Sequence, residues 1–133
     1  HLFATQAAVP ELLKRGGGAM VYTSSGSASG AAPVQPAYAM TKNAIHALAR
    51  HVAAKWGREG IRANVICPGL IMTEAVAIHL DETRLEQLKS KTPSLRLGHP
   101  DDIAAAVAFL ASKDGEFVNG QVWHVNGGKQ MRD

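Results

Sequence analysis

Three short strand-like runs, Ala19 to Thr23, Ile61 to Cys67 and Gln121 to Val125, are separated by longer stretches whose apolar residues recur at helical spacing. That alternation constrains the fold more than any other feature of the 133 residues. A strand of consecutive apolar residues has the pattern of one buried on both faces, and strands joined through helices run parallel. The order helix, strand, helix, strand, helices, strand therefore predicts a doubly wound α/β fold, a parallel sheet covered by helices on both faces.

Each helix can be placed from its own pattern. Residues 1 to 15 space Leu2, Phe3, Ala7, Val9, Leu12 and Leu13 as a helix does, with a kink expected at Pro10, where one backbone donor is lost. Gly16, Gly17 and Gly18 end it. Ser24 to Pro36 is small and polar and reads as a loop. The longest helix is expected from Ala37 to about Arg58, with Ile45, Leu48, Val52 and Trp56 on one stripe. Residues 74 to 90 suit one or two amphipathic helices with a break near Asp81. Pro100, Asp101 and Asp102 open the last helix, whose stripe is Ile103, Val107, Phe109 and Leu110.

Composition excludes several classes. With 46% hydrophobic residues the chain can bury a core, so disorder is not its main state. The longest apolar stretch, Ile103 to Ala111, is about half of the roughly 20 residues a spanning helix needs, so no membrane span is expected. The net charge of +3 comes from cations spread along the chain, and 5% aromatics are too few for a base-stacking platform. No nucleic-acid partner is expected. The single cysteine, Cys67, makes no internal disulfide, fits a cytoplasmic protein, and reads as a packed small hydrophobe. His46 and His51 lie about 140° apart around a helix, and His1, His79, His99 and His124 lack ligand spacing, so no metal is expected.

The chemistry concentrates in the middle of the chain. Tyr38 and Lys42 are four apart on a helix and share a face, with Cβ atoms about 6 Å apart. A free tyrosine titrates near 10, and bringing a phenol near 7 takes about 4 kcal/mol of extra phenolate stabilisation. One positive charge at about 4 Å in an intermediate dielectric supplies about that much. Lysine one turn away is thus a suitable activator, although the pair equally fits a buried tyrosine beside a solvated lysine. Ser25 lies 13 residues before Tyr38, directly after a strand, where ligands bind in open α/β sheets. It could hydrogen-bond a substrate oxygen, whereas Ser24 reads as simple loop polarity. Pro68 to Thr73 follows the next strand, and is either a second wall of that site or an ordinary turn and helix cap.

In combination these residues resemble the short-chain dehydrogenase/reductase family, in its single-domain oxidoreductase branch. A strand ending in Ser25 precedes the Tyr-x-x-x-Lys helix, and Asn64 through Thr73 follows the pattern Asn-x-x-x-Pro-Gly-x-Ile-x-Thr. Gly98, Pro100, Asp102, Ile103 and Ala104 match a Gly-x-Pro-x-Asp-Ile-Ala helix start, followed by Gly120-Gln121 and Gly127-Gly128. Asn126 stands where an aspartate is more usual.

The resemblance implies a Rossmann-like fold, a cofactor of NAD or NADP, and interconversion of a secondary alcohol and a ketone by hydride transfer. It implies Tyr38 as general acid/base, Lys42 as its activator and a ligand of the nicotinamide ribose, and Ser25 as the group that polarises the substrate oxygen. Ile71 and Thr73 would meet the nicotinamide carboxamide, with Pro68 and Gly69 shaping that wall. Gln35, Leu70 and residues 74 to 97 would line the substrate pocket. A homo-oligomer, dimer or tetramer, is also implied. The family's glycine fingerprint after a first strand has no counterpart here, so residues 1–133 are expected to form the C-terminal part of one such domain. Within the enzyme reading, dehydration or epimerisation with the same tyrosine is the other activity. The alternative to an enzyme is a non-catalytic half-domain that acts only by association with partner chains.

Overall fold

A computed structural model describes residues 1–30 and 34–131. Along the chain run α1 (Leu2–Lys14), β1 (Gly18–Thr23), α2 (Pro36–Trp56), β2 (Ile61–Pro68), α3 (Glu74–Ala77), α4 (Glu82–Ser90), α5 (Pro100–Ala111) and β3 (Val122–Val125). The strands form one parallel sheet in the order β1-β2-β3, with Gly18 opposite Ile61 and Val65 opposite Val122. The expected loop of residues 24 to 36 holds one short helical turn, Gly26–Ala28, and ends a residue early because Pro36 occupies the first turn of α2. Residues 31 to 33 of that loop lie outside the described residues.

Side-chain alternation along β2 divides the molecule into two layers. Ile61, Ala63, Val65 and Cys67 point to one face and pack with Val9 of α1 and with Ile45, Ala49 and Val52 of α2. Arg62, Asn64 and Ile66 point to the other, which α5 covers: Ile66 and Leu110 are fully buried. Helices thus lie on both faces of a parallel sheet, as the alternation predicts.

Two polar residues inside the central strand have structural work. Arg62 donates to the carbonyls of Leu110 at 2.7 Å, Gly115 at 2.9 Å and Ser112 at 3.1 Å, where α5 ends. A cation there also suits the negative end of the helix dipole. The Asn64 amide donates to Val118 O at 2.8 Å, and its oxygen accepts from Gln121 N at 3.0 Å. Together they stitch the segment leading into β3 against β2.

Some elements differ from their sequence pattern. β1 is half-buried from Gly18 to Val21, buried at Tyr22 and exposed at Thr23, rather than buried on both faces, because among the described residues it has a neighbouring strand on one side only. In α1 only Thr5 and Val9 are buried, while Phe3 remains 83% exposed, because a single face of the helix meets the sheet. Pro10 sits within α1 without ending it. Residues 74 to 90 form two helices, and Asp81 caps the second by accepting from Arg84 N at 2.7 Å. Where β1 and β2 begin, the chains touch: a Cβ on Gly17, whose φ is +126°, would fall 2.5 Å from Gly60 O, so only glycine fits.

Candidate active site

The C-terminal ends of β1 and β2 and the first turns of α2 converge at one end of the sheet. Ser25 follows β1 and accepts from Ser27 N at 3.2 Å, which caps the turn Gly26–Ala28. That turn is held to α2 by Asn43, whose amide donates to Ala28 O at 2.8 Å. It also lies against the end of β2, since a Cβ on Gly26 would come 3.7 Å from Pro68 O. Lys42 reaches back across the site, and its Nζ donates to Thr23 O at 3.1 Å. The same ammonium stands 5.7 Å from the centre of the Tyr38 ring, and Tyr38 is 43% exposed. A phenol, an ammonium and a serine hydroxyl are therefore carried on neighbouring elements at the sheet end where α/β folds bind ligands.

The second wall continues from β2. Gly69 N donates to Val125 O at 3.0 Å, and the backbone of Asn126 packs so closely that a Cβ on Gly69 would lie 2.7 Å from its Cα. Ile71 pairs with Gly98 in a short parallel bridge, which brings residues 92 to 98 alongside. Thr73 caps α3, its Oγ1 accepting from Val76 N at 3.3 Å. Leu70 and Ile71 border a cleft of about 710 Å³ whose far side includes Pro93, Leu95 and Arg96. On its rim Arg96 grips Asp102, with bonds of 2.6 and 2.7 Å. The Arg96 guanidinium, together with the His99 backbone N–H, holds the Asp102 carboxyl well below the usual carboxylate range.

Two residues at this end have roles that their sequence positions do not announce. Ser24 is not loop polarity: it is 3% exposed, and its hydroxyl donates to Lys42 O at 2.9 Å. His46 is buried beneath it, with Nε2 2.8 Å from Ser24 Oγ and 3.4 Å from Cys67 Sγ. Burial, reinforced by the charges of Arg50 and His124, pushes the His46 imidazole below its ordinary pKa. Burial also pushes the Cys67 thiol up. The only available signal was a polar residue set among Ile45, Ala49 and Val52 on the apolar side of the helix. Among the described residues, no group of three or more His, Cys, Asp or Glu could hold a metal ion, and no helix is long and apolar enough to cross a membrane.

Residues 2–130 match the family model described as enoyl-(acyl carrier protein) reductase. The chain is 36% identical over 129 residues to the dehydrogenase/reductase SDR family member 4 of Sus scrofa, covering 96% of this chain and 46% of that protein. It belongs to the short-chain dehydrogenase/reductase (SDR) family. Another relative is the L-rhamnose 1-dehydrogenase (NAD(P)(+)) of a Sphingomonas species, 38% identical over 128 residues, with 95% of this chain and 50% of that one covered. Among solved structures, a 7α-hydroxysteroid dehydrogenase complexed with NADH and 7-oxo glycochenodeoxycholic acid superposes with a TM-score of 0.86. It shares 36% identity, over 93% of this chain and 49% of its own. The SDR chain described here spans about half the length of the curated relatives it matches.

Proposed function

We propose that this chain carries the acid–base machinery of an NAD(P)-dependent oxidoreductase that interconverts a secondary alcohol and a ketone. The observation that supports it most is Lys42, which is anchored to Thr23 O at the end of β1 while its ammonium faces the exposed ring of Tyr38. An ammonium beside a phenol stabilises the phenolate, which is the form that takes a proton from an alcohol. In the reverse direction Tyr38 gives its proton to the ketone oxygen. Ser25, fixed by its turn at the end of β1, donates a hydrogen bond to that same oxygen and polarises it.

The donor set fits the nicotinamide end of a dinucleotide. An ammonium has three N–H donors, and Lys42 directs one to Thr23 O, so others can serve ribose hydroxyls. Thr73 Oγ1 accepts from Val76 N and keeps its own proton to donate to a carboxamide oxygen. Pro68, Gly69 and Ile71 form the wall beside it. The dinucleotide, when bound, supplies or accepts the hydride.

The test is made in the intact protein. Tyr38→Phe keeps the ring and removes the transferable proton, so turnover should fall at least about a thousandfold, within the range that acid–base catalysis contributes. Lys42→Met should in addition move the pH profile of alcohol oxidation upward, because the phenolate loses its neighbouring charge. Near-native turnover by Tyr38→Phe would remove Tyr38 from the mechanism.

A further inference from the structure

We propose that His46 is a positioning residue that keeps three walls of the site in register: the β1 end bearing Ser25, the α2 turn bearing Tyr38 and Lys42, and the β2 end bearing Pro68 and Gly69. The proposal rests on the reading of Tyr38 and Lys42 given above. Each side chain that Nε2 touches is one residue from a residue of that site, and His46 itself is one helical turn from another. Ser24 Oγ, 2.8 Å from Nε2, precedes Ser25; Cys67 Sγ, 3.4 Å from Nε2, precedes Pro68; His46 itself follows Lys42 by four residues.

Hydrogen-bond counting fixes the direction of the chain. A serine hydroxyl has one proton, and Ser24 donates it to Lys42 O at 2.9 Å. Toward His46 it can only accept, so Nε2 carries the hydrogen. Lys42 is thereby held twice by consecutive residues, its ammonium by Thr23 O at the end of β1 and its carbonyl by Ser24 just after it. His46 locks the first of these anchors by fixing the rotation of the Ser24 hydroxyl.

The surroundings keep this network uncharged. Burial, with the charges of Arg50 on α2 and His124 on β3, favours the neutral form of the imidazole. Cys67, buried and near the Lys42 charge, is held chiefly by burial as the neutral thiol. Ser24, His46 and Cys67 are at most 6% exposed, so water cannot substitute for a missing partner. Removing the Nε2 donor would free the Ser24 hydroxyl, loosen the Lys42 turn and change how its ammonium meets the phenol. A residue that only filled space would affect stability and leave the acid–base behaviour untouched.

The experiment compares His46→Leu, His46→Gln and Ser24→Ala in the intact protein, measuring kcat against pH for alcohol oxidation and KM for the dinucleotide. Leucine keeps bulk without a donor, and should lower kcat about 10- to 100-fold, the scale of a small misplacement of reacting groups. It should shift the profile upward in the direction of Lys42→Met and change KM for the dinucleotide less than about threefold. Glutamine can place an N–H where Nε2 stands, and should restore both rate and profile. Ser24→Ala should reproduce the leucine variant, and combining the two should add little, because they break one chain. Should His46→Leu not fold, the glutamine and Ser24→Ala variants carry the comparison. An unshifted profile with only a lowered Tm, or no rescue by glutamine, overturns the role of His46. An unmoved profile in Lys42→Met overturns the proposed function instead.

Discussion

Asp102 accepts from both terminal nitrogens of the Arg96 guanidinium and from the His99 backbone N–H at 2.7 Å, closing the first turn of α5 with a capping box. The Arg96 hydrogen bonds, followed by the His99 N–H, favour the charged carboxylate, so its folded-state pKa lies below the unfolded value. The stability it contributes is therefore fully present above the ordinary aspartate range, near 4, and disappears as pH falls toward the folded value. Asp102→Asn should lower Tm at pH 7 and flatten its dependence on pH below about 5. Thermal melts across that range decide it: a variant with the same acid limb as the native chain would show that another carboxylate sets it. At this scale legibility was uneven. Tyr38 and Lys42 are close in sequence, and their four-residue spacing announces a shared helix face. Ser24, His46 and Cys67 meet only through the packing of β1, α2 and β2, and contacts between residues about 20 apart leave no spacing to read.

At the scale of elements, hydrophobic periodicity sufficed for every strand and for the main helices, because each buries a definite side. Half-burial of β1 was not legible, since burial depends on which strand lies beside it. Nor was the wiring of Arg62, whose partners lie about 50 residues away at the end of α5. That guanidinium satisfies carbonyls that the helix itself leaves open. Arg62→Met keeps the length of the side chain and removes its donors, leaving those carbonyls unpaired in a partly buried position. Hydrogen bonds to a charged group contribute about 1.5–3 kcal/mol, so the variant should lose about 3 kcal/mol of stability. Urea denaturation reads this as a lower midpoint with unchanged slope; a midpoint equal to that of the native chain would mean that water replaces the guanidinium.

At the scale of the whole molecule, β2 lies between two strands, whereas β1 and β3, among the described residues, each pair along one edge alone. Gly18 N donates to Gly60 O at 3.0 Å and Ser24 N to Ile66 O at 2.8 Å, so the even-numbered amides of β1 face β2. By the two-residue period of a strand, the amides of Ala19, Val21 and Thr23 face outward. Such a row is a template for one more strand. Deuterium labelling should turn this geometry into an odd–even pattern. When residues 1–133 stand alone as a monomer, the amides of Ala19, Val21 and Thr23 should exchange within seconds to minutes, while those of Met20 and Tyr22 persist until the sheet opens. Pairing of that edge with a further strand, from the rest of a longer chain or from a second copy, should slow the odd positions until the alternation vanishes. Equal retention at all five amides in a dilute monomer would show that the edge is already closed. The labelling pattern of these five residues thus distinguishes a sheet that is finished from one still able to grow.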